Sequence, residues 1–319
     1  DIGESSLLVW ALGAYPSKDT FWTSDNNKTE TPGCKWTPDH ETVAVKLGLV
    51  LALMSLGPVG LSDAIGMTNS SLVQPAISKD GSLLQPSKPI TAVDSSFLDH
   101  LKPNGYLYGT HGLDLSWIFV SFQLREEFPV TLRDFYPSLQ LDLSSPSTEL
   151  LVYRTFSSSP ECRTGDDAVQ SGCVTMVSLL ADYDDPSSFS RDVGRNRTVF
   201  VAPPSSFAIP GSDLAPNIVT VWRSCYENGI FLLGELDKYV SLSPKRFISV
   251  HCYKTGISVV VKGSLGEKIR LTLLIPRQHL SGESWYQVMV KQVSLAKTAI
   301  SFVDLSMTMI QKEIESIKN

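Results

Sequence analysis

Two aspartates near the start of the chain lie where a carboxylate could accept hydrogen bonds from a ligand. Asp63 ends a short apolar run, residues 55–63, and a carboxylate at the carboxyl end of a buried strand can reach ligand hydroxyls where several such ends converge. Asp19 follows the turn residue Pro16 and can accept hydrogen bonds from a pair of hydroxyl groups. Each has a structural alternative, since Asp63 precedes Ala64 as a helix N-cap would and Asp19 can cap the turn.

Aromatic side chains lie close to these aspartates in the sequence. Trp22 and Trp36 can stack on a pyranose ring, as aromatic walls do in small-molecule sites, or can anchor the core or a loop. The chain has no Gly-x-Ser-x-Gly nucleophile motif, no Cys-x-x-Cys or His-x-x-x-His spacing for zinc and no phosphate-binding glycine loop. We therefore expect that any ligand site in the chain uses neither a metal nor a cofactor.

The elements that must position these residues begin with a helical region. Residues 41–54 are apolar with acidic residues near the start, which predicts a buried helix. This helix is too short for a membrane span, which needs about 20 residues. The run 55–63 predicts a short buried strand and residues 69–77 a second helix, a rhythm typical of parallel βα units.

Beyond Asp94 the pattern becomes that of an all-β region. Runs of strand length recur between turns rich in Pro, Gly, Ser and Asp, which is typical of a sandwich or barrel; examples are YLYGTHG, LSWIFVSFQL, NIVTVWRSCY and GISVVVKG. Residues 305–319 carry apolar side chains at helical spacing and predict a terminal amphipathic helix. The predicted fold class is α/β followed by all-β.

Composition and modification motifs indicate an extracellular protein. The net charge of −6 comes without a basic stripe, so nucleic acid and anionic membrane surfaces lack an electrostatic partner here. Asn-x-Ser/Thr triplets at Asn27, Asn69 and Asn196 are candidate glycosylation sites. Together with the cysteines, these triplets favour a secreted protein or one in a lysosome-like lumen.

The cysteine spacing predicts two disulfides. Cys162 and Cys173 flank a polar, glycine-containing stretch that a bridged hairpin would close. Cys225 and Cys252 each lie in a strand-like run and can bridge adjacent strands. The fifth cysteine, Cys34, is left over, which indicates a partner outside this chain or a buried free thiol.

The stretch that follows the first predicted helix resembles a known family. The string SLGPVGLSDAIG and, later, KDGSLLQPSKPITAVDSSF resemble the end of the barrel in α-galactosidase and raffinose-synthase-like glycoside hydrolases. Upstream, YPSKDTFW is similar to that family's Pro-Asp-Trp-Asp-Met-Phe segment, with Pro16, Asp19 and Phe21 at matching positions. The first Asp and the Trp of that segment are replaced here by Ser17 and Lys18.

The resemblance implies both a fold and a location for the catalytic residues. Residues 1–100 would form the final strands and helices of a (β/α)8 barrel, and residues 101–319 an antiparallel β-sandwich with a C-terminal helix. Glycoside cleavage uses two carboxylates, and in this family they lie on barrel strands that would precede residue 1. A companion N-terminal fragment or chain is therefore expected to complete the barrel.

Two hypotheses about function follow from the resemblance. In the first, the chain is the C-terminal portion of a secreted glycoside hydrolase that acts on α-galactoside-type glycans, with Asp19 and Asp63 holding sugar hydroxyls. In the second, it is a non-catalytic glycan-binding or structural extracellular protein with the same fold. Ser17 and Lys18 favour the second, because a lysine changes both the charge and the reach of a sugar-hydroxyl site.

Overall fold

The computed structural model describes residues 5–17, 20–23, 45–97, 104–126, 128–131, 149–155, 174–178, 200–202, 206–209, 216–278, 284–295 and 299–306. The helices in these ranges are short: α1 (Ser6–Ala11), α2 (Val45–Met54) and α3 (Ser70–Val73), with 3-10 turns at Gln74–Ala76 and Asp94–Phe97. None of the described helices is long and apolar enough to cross a membrane.

Strands make up most of the remaining described structure. They are β1 (Thr91–Ala92), β2 (Tyr106–His111), β3 (Ser116–Phe122), β4 (Phe128–Thr131), β5 (Glu149–Thr155), β6 (Val174–Ser178), β7 (Phe200–Ala202), β8 (Ser206–Ile209), β9 (Asn217–Arg223), β10 (Phe231–Gly234), β11 (Phe247–Tyr253), β12 (Gly256–Lys262), β13 (Lys268–Gln278), β14 (Ser284–Ser294) and β15 (Ile300–Ser306).

The described strands form one large sheet and several small ones. The large sheet has seven strands in the order β1-β2-β3-β9-β5-β6-β7; two three-stranded sheets have the orders β10-β13-β14 and β11-β12-β15, and β4 pairs with β8. The paired strands run antiparallel except β6 and β7, which are parallel. The prediction of a β-rich chain built from antiparallel sheets is confirmed.

Helix α2 packs against the large sheet. Its sequence, VKLGLVLALM, is apolar on almost every side, so the helix has to be enclosed. Leu49, Leu53 and Met54 belong to one core with Ile118 of β3 and Ile218 of β9. The helix predicted over residues 41–54 is thus observed from Val45 onward, and its first four predicted residues lie outside the described ranges.

The two three-stranded sheets share a second core, as the two layers of a β-sandwich do. Phe231 of β10, Phe247 of β11, Val259 of β12 and Leu273 of β13 are fully or almost fully buried in it. Their strands are apolar at these positions because both sheets face the same dry interior. This core holds the C-terminal half of the chain together.

The disulfide between Cys225 and Cys252 is present, with a Cα–Cα distance of 5.7 Å. Cys225 follows β9 of the large sheet, whereas Cys252 lies in β11 of a small sheet. The bond therefore connects two sheets. The sequence had instead suggested a bond between adjacent strands. Cys34, Cys162 and Cys173 lie outside the described residues.

Two finer expectations are not met by the described residues. Residues 55–63 do not form the predicted strand but contribute one isolated parallel bridge, between Leu61 and Phe21, and no (β/α)8 barrel is seen in the described ranges. Leu305 and Ser306 continue β15, so the predicted terminal helix cannot begin at residue 305. Residues 307–319 lie outside the described part of the chain.

Candidate functional site

Two segments that are distant in sequence run side by side in parallel near the start of the chain. The backbone N–H of Phe21 donates to the carbonyl of Gly60 over 3.3 Å, and that of Ser62 donates to the carbonyl of Phe21 over 2.8 Å. Helix α2 lies between the two segments in the sequence. Because they run in the same direction, the residues at their carboxyl ends, Thr23 and Asp63, come together.

The close approach of these segments explains a glycine in the GPVG motif. The N–H of Gly57 donates to the carbonyl of Pro16 over 3.1 Å. A Cβ atom at residue 57 would lie only 2.5 Å from that carbonyl oxygen, so the position does not accommodate a larger side chain. One residue further on, the Ser17 hydroxyl donates to the carbonyl of Pro58 over 3.2 Å.

Asp63 holds the ends of the two segments together through Thr23. The backbone N–H of Thr23 donates to Oδ1 of Asp63 over 2.8 Å, and the Thr23 hydroxyl donates to Oδ2 over 2.7 Å. The same hydroxyl oxygen accepts a bond from the backbone N–H of Asn69 over 2.7 Å. Thr23 is buried and Asp63 is half-buried, so the carboxylate is fixed in orientation while retaining contact with solvent.

This network allows a ligand role but also has a structural one. Asp63 is half-buried, so its carboxylate, although bonded to Thr23, still meets solvent where ligand hydroxyls can reach it. Asp63 does not act as the helix N-cap considered above. The cap of α3 is Asn69, whose side chain accepts from the backbone N–H of Leu72 over 3.3 Å.

Asn69 is also the candidate glycosylation site that falls in the described residues. Its side chain is exposed, and its Oδ1 accepts a hydrogen bond from the Ser71 hydroxyl of the same triplet over 2.7 Å. Capping and this bond both use the amide oxygen, which leaves the nitrogen side of the amide as the position for a glycan. Asn27 and Asn196 lie outside the described residues.

Of the other predicted site residues, the structure describes Trp22 alone. Trp22 is half-buried between two buried neighbours, Phe21 and Thr23. Asp19 and Trp36 lie outside the described residues. The structure therefore brings Asp63 together with Thr23 and Asn69, partners that sequence reasoning missed because they are 40 and 6 positions away along the chain.

A second group of charged side chains is buried in the C-terminal half. Arg246, with a side chain only 1% exposed, donates two bonds to the carboxylate of Glu267, over 2.9 and 2.6 Å. It donates one bond to Glu235 over 2.8 Å and another to the carbonyl of Lys262 over 2.9 Å. The Glu267 carboxylate also accepts from the backbone N–H groups of Ser264 and Lys79.

The two carboxylates of this cluster are not equivalent. Burial opposes ionisation of Glu267, but the bonds from Arg246 and Ser264 outweigh it and lower its pKa below the usual carboxyl value. For Glu235, burial dominates over its single bond from Arg246 and raises the pKa. Because Arg246 is buried and its bonds tie together the ends of β10, β12 and β13, we assign a structural role to this cluster.

Comparison with known proteins adds no assignment, because no protein-family model and no curated protein matches the chain.

Proposed function

We propose that the chain is the C-terminal portion of a secreted glycoside hydrolase-like protein that acts on α-galactoside-type glycans. In this proposal Asp63 accepts hydrogen bonds from sugar hydroxyls, and the carboxylates that cleave the glycosidic bond are supplied from outside these residues. The lone disulfide described, Cys225–Cys252, is compatible with a secreted protein.

The observation that carries the proposal is the parallel alignment of the segments that end at Thr23 and Asp63. In α/β enzymes ligands bind at the carboxyl ends of parallel strands, because the loops that follow those strands converge there. The residues that build this alignment, from Pro16 to Asp63, are also the ones on which the resemblance to α-galactosidases and raffinose synthases depends.

A second candidate function is glycan binding without cleavage. It is favoured by Ser17, which replaces the family's first aspartate and whose hydroxyl donates to the backbone of Pro58. A serine used in this way contributes no carboxylate to a sugar site. The two functions share the role of Asp63 and differ in turnover.

The experiment that tests the proposal is a calorimetric titration of the full-length secreted protein with methyl α-galactoside. Replacing Asp63→Asn keeps the shape but removes the charge, and a charged hydrogen bond contributes about 1.5–3 kcal/mol. We expect the dissociation constant to rise about 10-fold or more. Asp237→Asn, an exposed aspartate of the C-terminal half, is the matched control and should leave the affinity unchanged.

Two further readouts separate the possible outcomes. Unchanged affinity in Asp63→Asn, with thermal unfolding that shows a folded variant, would reject Asp63 as a ligand residue. Release of nitrophenol from a nitrophenyl α-galactoside by the wild-type protein would support hydrolysis. Binding without any such release would favour the non-catalytic alternative.

A further inference from the structure

A cavity of about 280 Å³ lies between helix α1 and the first strands of the large sheet, apart from the residues that bind Asp63. Its volume is near the lower end of the range for ligand sites, about 300–1,000 Å³, so it suits a small ligand. The side chains that matter for its chemistry are Trp10, Lys88, Asp94, His111 and Trp117.

One aromatic residue of the lining, Trp10, is less buried than its sequence neighbours predict. That residue lies in an apolar run and is expected in the core, yet it is half-buried at the cavity, with its ring centroid 5.6 Å from that of Tyr15. Trp117 of β3 is 4% exposed and forms part of the wall. An indole that is partly covered offers a ring face to a pyranose at little entropic cost.

The hydrogen bonds around His111 define which ring nitrogen can accept from a ligand. The Ser87 hydroxyl donates its only proton to the backbone carbonyl of His111 over 2.9 Å. Its oxygen lies 3.2 Å from Nδ1 of the same histidine, and the tautomer with the proton on Nδ1 would satisfy both groups. This tautomer leaves Nε2 as the acceptor of the ring.

The surroundings of His111 disfavour the protonated form of its ring. Burial lowers the pKa of His111, the positive charge of Lys88 lowers it further, and Asp114 acts in the opposite direction. With a neutral histidine, the charges of Lys88 and Asp94 balance, and the lining carries no net charge. A balanced lining with donors and acceptors favours a neutral, hydroxyl-rich ligand over an anion or a cation.

We propose that this cavity is a second carbohydrate-binding site, which takes one neutral hexose unit of a glycan. The ring of Trp10 stacks on the sugar, Asp94 and Nε2 of His111 accept bonds from its hydroxyls, and Lys88 donates to its oxygens. The choice of a sugar as the ligand rests on the proposed function, but the site itself does not use Asp63.

The test follows tryptophan fluorescence of the full-length protein during titration with methyl α-galactoside. Trp10 and Trp117 line the cavity, so binding there is expected to change their emission. The variant Asp94→Ala should weaken this response at least about fivefold in apparent affinity, the effect of losing one charged hydrogen bond. Trp10→Ala removes one reporter together with the stacked ring, so its affinity is followed through the emission of Trp117 and should fall to a similar extent. Asp237→Ala, on the exposed surface of the C-terminal half, is the control and should respond like the wild type.

The Asp63→Asn variant distinguishes this inference from the proposed function. A fluorescence response that persists in Asp63→Asn and is lost in Asp94→Ala supports a separate second site, even if Asp63 itself proves not to bind sugar. A response that is lost in Asp63→Asn, or that is unchanged in both cavity variants, overturns it. If the wild-type protein shows no fluorescence response to the sugar, the second-site inference is also overturned. The proposed function is then tested by the calorimetric titration.

Discussion

The two halves of the molecule differ in how deeply their bonded polar side chains are buried. In the C-terminal half, Arg246 is buried and directs four hydrogen bonds to Glu235, Glu267 and Lys262, all groups of the protein itself. In the N-terminal half, Asp63 is bonded to Thr23 and His111 lies beside Ser87, yet both residues are only half-buried. A buried group with every partner inside the protein stabilises the fold, whereas a fixed group that still meets solvent can serve a ligand.

The comparison also indicates where a mutation should affect stability and where it should affect binding. Removing one member of the Arg246 cluster leaves an uncompensated charge in a dry interior, which is costly. Removing an acceptor that faces solvent leaves water to replace the lost contact, so the fold should tolerate the change.

The largest expected effect is that of Arg246→Met. The variant leaves the carboxylates of Glu235 and Glu267 buried without their cation, and breaking such a buried pair costs about 3–5 kcal/mol. Urea denaturation would measure the free energy of unfolding. The neighbouring exposed Lys245→Met is the control, expected to change it by less than about 0.5 kcal/mol. Equal stability of the two variants would remove the structural role assigned to the cluster.

The next effect in size is that of the double variant Cys225→Ser, Cys252→Ser. The disulfide joins the large sheet to a small one across a sequence separation of 27 residues, and such cross-links contribute about 2–4 kcal/mol. Urea denaturation should show a loss of that order, with sugar affinity retained because neither cysteine lines the cavity. A loss of sugar affinity in a folded double variant would contradict the separation of the two halves.

A smaller effect, on the pH dependence of stability, is expected for Glu267→Gln. Because the folded pKa of Glu267 is below its unfolded value, its stabilisation is complete above about pH 4.3 and is lost as the pH falls through the folded pKa. The wild-type protein should therefore lose stability on acidification more steeply than the variant. Thermal unfolding at a series of pH values from neutral to acidic would measure this difference. Melting temperatures that fall in parallel for the wild type and the variant would contradict the expectation.

Glu235→Gln should give the opposite pH behaviour. Its folded pKa is raised by burial, so at pH values between the unfolded and the folded pKa the native state holds a proton that the unfolded state releases. Stability from this group falls as the pH rises from the ordinary carboxyl range through the raised folded pKa, and the variant removes that fall. Thermal unfolding over the same pH series compares the variants, and a steeper fall in Glu235→Gln than in the wild type would refute the assignment.

The smallest effect is expected for Thr23→Val, in the N-terminal half. The change keeps the volume of the buried side chain but removes the hydroxyl bond to Asp63 and the acceptor of the Asn69 N–H, at about 1–2 kcal/mol. Thr23→Ser, which keeps the hydroxyl, should lose clearly less. Urea denaturation of both variants measures the difference, and an identical loss would show that the hydroxyl does not hold Asp63.

The sequence predicts the elements more reliably than it predicts their contacts. The apolar runs identify α2, β3 and β9, because an element enclosed on all sides needs apolar residues throughout. The cysteines in strand-like runs indicate the Cys225–Cys252 bond, although not which sheets it joins. Local patterns of this kind depend only on neighbouring residues, so they can be read without knowing the fold.

The partners in the candidate sites could not be predicted in the same way. Asp63 meets Thr23 across 40 positions, and Arg246 meets Glu267 across 21, and neither distance follows from a local pattern. Trp10 lies in an apolar run that predicts burial, yet it is only half-buried. Charged residues are usually solvated, so a buried Arg246 has no signal in the sequence.

The most direct test of the account is hydrogen–deuterium exchange of the full-length protein with and without methyl α-galactoside. We expect the sugar to slow exchange in the peptides that cover residues 60–69 and 87–94, and to leave the peptides over 246–267 unchanged. Protection centred on 246–267, or none in the N-terminal half at saturating sugar, would contradict the claim that the ligand sites lie there.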